Sequence, residues 1–119
     1  MYQSGTWHGH WDQGGLGRQE MHDLHLKFDG NRLTGQGWDC VGRFTMDGEI
    51  MPDAEVHIVK CYVDDETDRR RHSVVYLGRH DGEGRIHGVW ALEGDNGRWS
   101  IRMEGGFQKS DAPIEEMQP

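Results

Sequence analysis

Side chains alternate with a period of two along much of this chain. In Gly5-Thr6-Trp7-His8-Gly9-His10-Trp11, two indoles and a bare backbone take one parity while Thr6, His8 and His10 take the other. That is the pattern of a strand with one buried face. Helical periodicity is hard to find, because 18 glycines punctuate the chain and each one inside a helix costs about 1 kcal/mol. The alternation predicts eight strands, near 4–12, 20–28, 32–39, 42–50, 54–63, 72–80, 84–92 and 97–105.

Turn chemistry orders these strands. Asp29-Gly30, Asp47-Gly48 and Asp81-Gly82 fall at or near predicted junctions, and Asp-Gly suits hairpins because both positions tolerate positive φ. Gly94-Asp95-Asn96-Gly97 supplies another turn, and residues 64–71 form one long charged connection. Short antiparallel strands in sequence leave two exposed edges unless the sheet closes on itself. The expectation is an all-β fold, a single antiparallel up-and-down eight-stranded barrel over residues 1–107, followed by a flexible acidic tail over 108–119.

At 119 residues the chain fits one domain with one core. Five Trp, three Tyr and three Phe against a hydrophobic share of 34% imply a small aromatic core. Trp7, Trp11, Leu24, Leu26, Phe28, Ile86, Trp90, Leu92, Trp99, Ile101 and Met103 fall on the inward parity. A net charge of −8 argues against nucleic acid, which requires a clustered positive face. The one basic run, Arg69-Arg70-Arg71, follows Asp64, Asp65, Glu66 and Asp68, which cancel its field. No apolar run reaches the length of a membrane span and the start shows no signal pattern, so a cytoplasmic protein is expected. Cys40 and Cys61 stand apart, as reduced thiols would in that compartment.

Gly5-Thr6-Trp7 near the amino terminus, the turn-linked strands and Gly88-Val89-Trp90 together resemble the calycin group of barrels, the avidin-like, fatty-acid-binding and lipocalin proteins. The resemblance spans residues 4–105, and avidin-like proportions match best, since neither a helical lid nor a late helix is present. It implies a barrel interior that takes a small molecule; avidin's polar biotin contacts do not map onto this chain. Gly5-x-Trp7-x-Gly9 is also similar to the opening of nitrobindin-type haem barrels, but Trp11 stands where their last glycine would be, and no cofactor is expected.

Three constellations could carry chemistry. The first is Asp39, Lys60, Tyr62 and Tyr76 inside the barrel. Lys60 and Tyr62 face inward if Val56 and Ile58 do, and Tyr76 does if Val74 does. The opposite faces, with His57, Val59, Cys61 and Val63 on one strand and Val75 and Leu77 on the other, are almost as apolar, so the parity stays open. A buried Lys needs a partner, and Asp39 is the natural one. The set reads as an internal ion pair that fixes register, as the polar end of a ligand pocket, or as the acid and base of a small isomerase or cyclase. With the rings, the expected ligand residues are Trp7, Trp11, Asp39, Lys60, Tyr62, Tyr76, Trp90 and Trp99, for an apolar or aromatic ligand. The second is histidine: His8 and His10 share a face, whereas His22 and His25 do so only if a bulge intervenes, and surface histidines are preferred to a metal site. The third is an outer face with Trp38, Val59 and Val63, through which a solid-cored barrel would bind a partner or a homodimer would form.

Overall fold

The computed structural model describes residues 2–67 and 69–104. Eight antiparallel strands close into an up-and-down barrel: β1 (Gly5–Gln13), β2 (Gly17–Asp29), β3 (Arg32–Trp38), β4 (Arg43–Ile50), β5 (Glu55–Val63), β6 (Arg70–His80), β7 (Arg85–Leu92) and β8 (Asp95–Met103). The ladder from Trp7 opposite Met103 to Trp11 opposite Trp99 joins β8 to β1, so no edge is left to template aggregation. Among the described residues no helix is long and apolar enough to cross a membrane. The predicted tail over 108–119 lies outside the described residues.

The inward parity is as expected for β1 and β8, and Trp7, Trp11, Leu24, Leu26, Ile86, Trp90, Trp99, Ile101 and Met103 are buried. On β5 and β6 the parity resolves with Val56, Ile58, Lys60, Tyr62, Val74 and Tyr76 buried and Val59, Val75 and Leu77 exposed, although Cys61 on the opposite parity is buried as well. One end of the barrel is plugged by aromatic side chains. Tyr2 lies 5.5 Å from the Trp7 ring, 5.7 Å from Phe28 and 5.6 Å from His80, and the Trp7 indole donates to the Gln3 carbonyl at 3.0 Å.

Two tryptophans need glycine beneath them. Gly78 and Gly88 face each other across β6 and β7; a Cβ on Gly78 would come within 2.8 Å of the Trp99 ring. The Trp99 indole donates from there to the Val89 carbonyl at 3.0 Å. Gly97 plays the same part for Trp90, since a Cβ there would lie 2.5 Å from that indole, which donates to the Asp12 carbonyl at 2.9 Å. Each of these buried indole N–H groups is satisfied, as a ring in a small core requires.

Several local expectations are corrected. Asp47-Gly48 is no turn: Gly48 lies inside β4, paired with Ile58, because a Cβ there would strike Ile58 and the His57 carbonyl. Asp95, Asn96 and Gly97 are all strand residues of β8, and the turn is Glu93-Gly94. Val63 is buried at 7% exposure instead of facing outward, since the β5–β6 register slips between Cys61 and Val63 and a bulge strengthens local twist. Leu92 is 38% exposed, because its strand ends at the barrel rim. In β2 the slip between His22 and His25, with Asp23 at φ 51°, puts both histidines on the exposed side.

Candidate functional site

The end opposite the aromatic plug is open, and its floor is a buried charge pair. Asp39 follows β3 directly, in a tight turn where its N–H and carbonyl both bond to Gly42 at 3.1 Å. The turn aims the carboxylate inward, and its Oδ1 accepts the Val41 N–H at 2.9 Å. Oδ2 accepts three side-chain donors: Lys60 Nζ at 2.6 Å, the Tyr62 hydroxyl at 2.6 Å and the Trp11 indole at 3.0 Å. Lys60 Nζ also donates to the Tyr76 hydroxyl at 3.2 Å. Aromatic faces enclose the ammonium, with Phe44 nearest at 4.3 Å to its centroid and the Tyr62, Trp11 and Tyr76 rings at 5.0 to 5.4 Å, a geometry that favours a cation.

These contacts decide which groups are ionised. Burial alone would raise the Asp39 carboxyl, but the Lys60 charge and the bonds from Lys60, Tyr62 and Val41 outweigh it and hold it below the usual carboxylate range. Burial pulls the Lys60 ammonium down to about 8, against the opposing pull of Asp39. At neutral pH the pair is therefore ionised and balanced. Burial raises both tyrosines, with the Asp39 charge adding to the effect, so both hydroxyls keep their protons.

Above this floor is a cavity of about 130 Å³ whose walls include Trp11, Tyr62, Val74, Tyr76 and Trp90. Trp11 and Trp90 meet edge to face at 5.8 Å between centroids, and Tyr76 is backed by Trp99 at 5.0 Å. The mouth is formed by Leu16, Val41, His72, Leu92, Gln13 and Asp95. Leu16, Val41 and Leu92 are exposed, His72 stacks on Tyr62 at 4.9 Å, and Gln13 donates to Asp95. For scale, an apolar cavity of about 150 Å³ admits a benzene ring.

Of the eight residues expected at the site, Trp11, Tyr62, Tyr76 and Trp90 line the cavity. Asp39 and Lys60 lie beneath it, bonded to three of those four. Trp99 stands behind Tyr76, and Trp7 belongs to the plugged end with Tyr2 and Phe28. Sequence reasoning missed Phe44, the ring closest to Lys60, although the alternation of Phe44, Met46 and Ile50 marks it as inward. It also missed the mouth, whose residues come mostly from turns and strand ends where period-two patterning carries no signal. Among the described residues no three His, Cys, Asp or Glu side chains converge as a metal site would need, and Cys40 and Cys61 are free thiols. No family model, curated protein or solved structure matches the chain.

Proposed function

We propose that this barrel binds a small apolar or aromatic molecule, about the size of a single ring, in the cavity between Trp11, Tyr62, Val74, Tyr76 and Trp90. The observation that carries this reading is the pairing of a ring-sized apolar space with a floor whose charges are already neutralised by each other. A floor of that kind adds polarity for orientation without demanding a counter-ion from the ligand. The barrel architecture is compatible with the calycin resemblance, and small-molecule capture at an open barrel end is what that resemblance implies. Lys60 and Asp39 serve here as a fixed base that holds Trp11, Tyr62 and Tyr76 in position. Their mutual bond leaves neither free as acid or base, so binding is favoured over isomerase or cyclase chemistry.

Native mass spectrometry of the protein purified from its own cells tests this, beside a Val74→Trp variant in which the new indole fills the cavity. The expected result is a small adduct on the natural protein that leaves on denaturation and is missing from the variant. Bare masses for both, with no saturable change in tryptophan fluorescence on adding small aromatic compounds, would overturn the reading.

A second reading, a homodimer, has one observation in its favour. Val59, Val75, Leu77 and Val89 are exposed on neighbouring strands β5, β6 and β7, and contiguous apolar patches mark interfaces. The row bordering this face is Glu55, Arg79 and His87, in which Glu55 is paired with Arg79 and His57 of its own chain. Sedimentation velocity of the protein and of a Val75→Lys variant checks it: a dimer that the lysine dissolves is expected, and a monomer in both cases would refute it.

A further inference from the structure

The hydrogen bonds at the cavity floor leave one proton without a place. An ammonium has three donors and no acceptor, so in the 3.2 Å contact between Lys60 Nζ and Tyr76 the phenol oxygen accepts and its own O–H must point elsewhere. Asp39 does not take it: Oδ2 accepts from Lys60, Tyr62 and Trp11, Oδ1 accepts the Val41 N–H, and neither oxygen is hydrogen-bonded to the Tyr76 hydroxyl, whose one bond is to Lys60. Among the described residues no other group accepts from the Tyr76 hydroxyl. Tyr62 differs, because its proton is spent on Asp39. Tyr76 is almost wholly buried yet forms part of the cavity wall, and a buried donor without an acceptor is costly.

We infer that the ligand is a neutral ring-sized molecule carrying one hydrogen-bond acceptor, a carbonyl oxygen or a ring nitrogen, which the Tyr76 hydroxyl grips at the cavity floor. This rests on the pocket reading and adds the chemical class of its ligand. Neutrality follows from the floor. Among the described residues the single cation there is bonded to Asp39, so a carboxylate on the ligand would be buried without a counter-charge. The carboxylate is equally committed, so an ammonium would fare no better. Size follows from the 130 Å³ of space, on the scale of one unsubstituted ring.

The test uses two probes of the same shape, benzene and pyridine, at neutral pH, with affinities read from tryptophan fluorescence on the natural protein and on Tyr76→Phe and Tyr62→Phe variants. Comparing the ratio of variant to natural affinity between the probes cancels their different hydration. Tyr76→Phe is expected to weaken pyridine about fivefold more than benzene, the size of one neutral hydrogen bond, whereas Tyr62→Phe shifts both probes alike. A second readout needs no variant: ¹⁵N-pyridine bound to the natural protein should resonate as it does in an alcohol. If benzene binds but Tyr76→Phe shifts both probes equally, or bound pyridine resonates as in a hydrocarbon, the Tyr76 proton goes to water and the inference fails while the pocket survives. If neither probe binds, the pocket reading itself falls.

Discussion

Replacing Asp39 by Asn while Lys60 stays should destabilise the barrel more than replacing both residues together. Among the described residues the carboxylate is the sole anion within bonding distance of the ammonium, at 2.6 Å, with both side chains shielded from solvent. Without it Lys60 keeps the Tyr76 hydroxyl at 3.2 Å and the Phe44 ring at 4.3 Å, neither of which neutralises a charge. Breaking one side of a buried pair costs about 3–5 kcal/mol. The lower figure applies, because the Lys60 pKa of about 8 is already depressed by burial, and losing Asp39 lets the amine shed its proton at pH 7. Lys60→Met leaves Asp39 with three donors, from Trp11, Tyr62 and Val41, so its cost also falls near about 3 kcal/mol. With Asp39→Asn and Lys60→Met combined no charge is buried, and swapping a buried pair for uncharged groups is often close to neutral. The cycle therefore predicts a coupling of at least about 2 kcal/mol. Urea unfolding of the four proteins at pH 7 measures it, and in thermal melts each kcal/mol lost should lower the melting temperature by about 4 °C. Additive single-variant losses, within about 0.5 kcal/mol, would refute the claim that the two charges depend on each other.

Other outcomes follow from the same geometry. Asp39 has a lowered pKa, so its stabilisation is complete above the ordinary carboxylate range and is lost only as pH falls through the lowered value; acid unfolding of the natural protein should begin at lower pH than that of Lys60→Met, followed by circular dichroism. Lys60 is depressed from 10.5 to about 8, so between those values the unfolded chain binds the extra proton and this group's contribution to stability increases with pH. The stability gap between the natural protein and Lys60→Met should widen from pH 8 to pH 10 by about 1 kcal/mol per unit; a flat gap in urea melts would contradict it. Gly88→Ala places a Cβ against the Leu77 carbonyl and the Gly78 Cα and should cost about 1–3 kcal/mol, whereas Gly14→Ala meets open space and should leave the stability from urea melts within about 0.5 kcal/mol of natural.

Most of the barrel is legible in the sequence because β1, β7 and β8 carry large rings on one parity and polar or charged groups on the other. β5 and β6 are not legible in this way. Val56-His57-Ile58-Val59-Lys60-Cys61-Tyr62-Val63 is apolar on both faces, and hydrophobicity alone does not say which face is inside. What decides is the charge pair: Lys60 is buried because Asp39, between β3 and β4, is aimed inward by a turn closed between Asp39 and Gly42. That partnership is between residues 21 positions apart and belongs to the closed barrel, not to either strand. Asp47-Gly48 misleads for a related reason, since a glycine required by close strand packing looks the same in sequence as one required by a turn. The mouth is the least legible part. Leu16 and Val41 would pass as stray apolar residues in turns and Leu92 as one more inward strand residue, and only closure brings them around one opening.

The proposed pocket requires that the open end, and not the plugged end or the outer surface, takes a ring-sized molecule. The five indole N–H resonances of the ¹H–¹⁵N spectrum sample these places separately: Trp11 and Trp90 at the cavity, Trp99 behind its wall, Trp7 at the plug and Trp38 outside. Titrating benzene into the labelled protein should move Trp11 and Trp90 saturably, leaving Trp7 and Trp38 in place. No saturable shift at Trp11 and Trp90, or the largest shift at Trp38 or Trp7, would put the ligand elsewhere or nowhere.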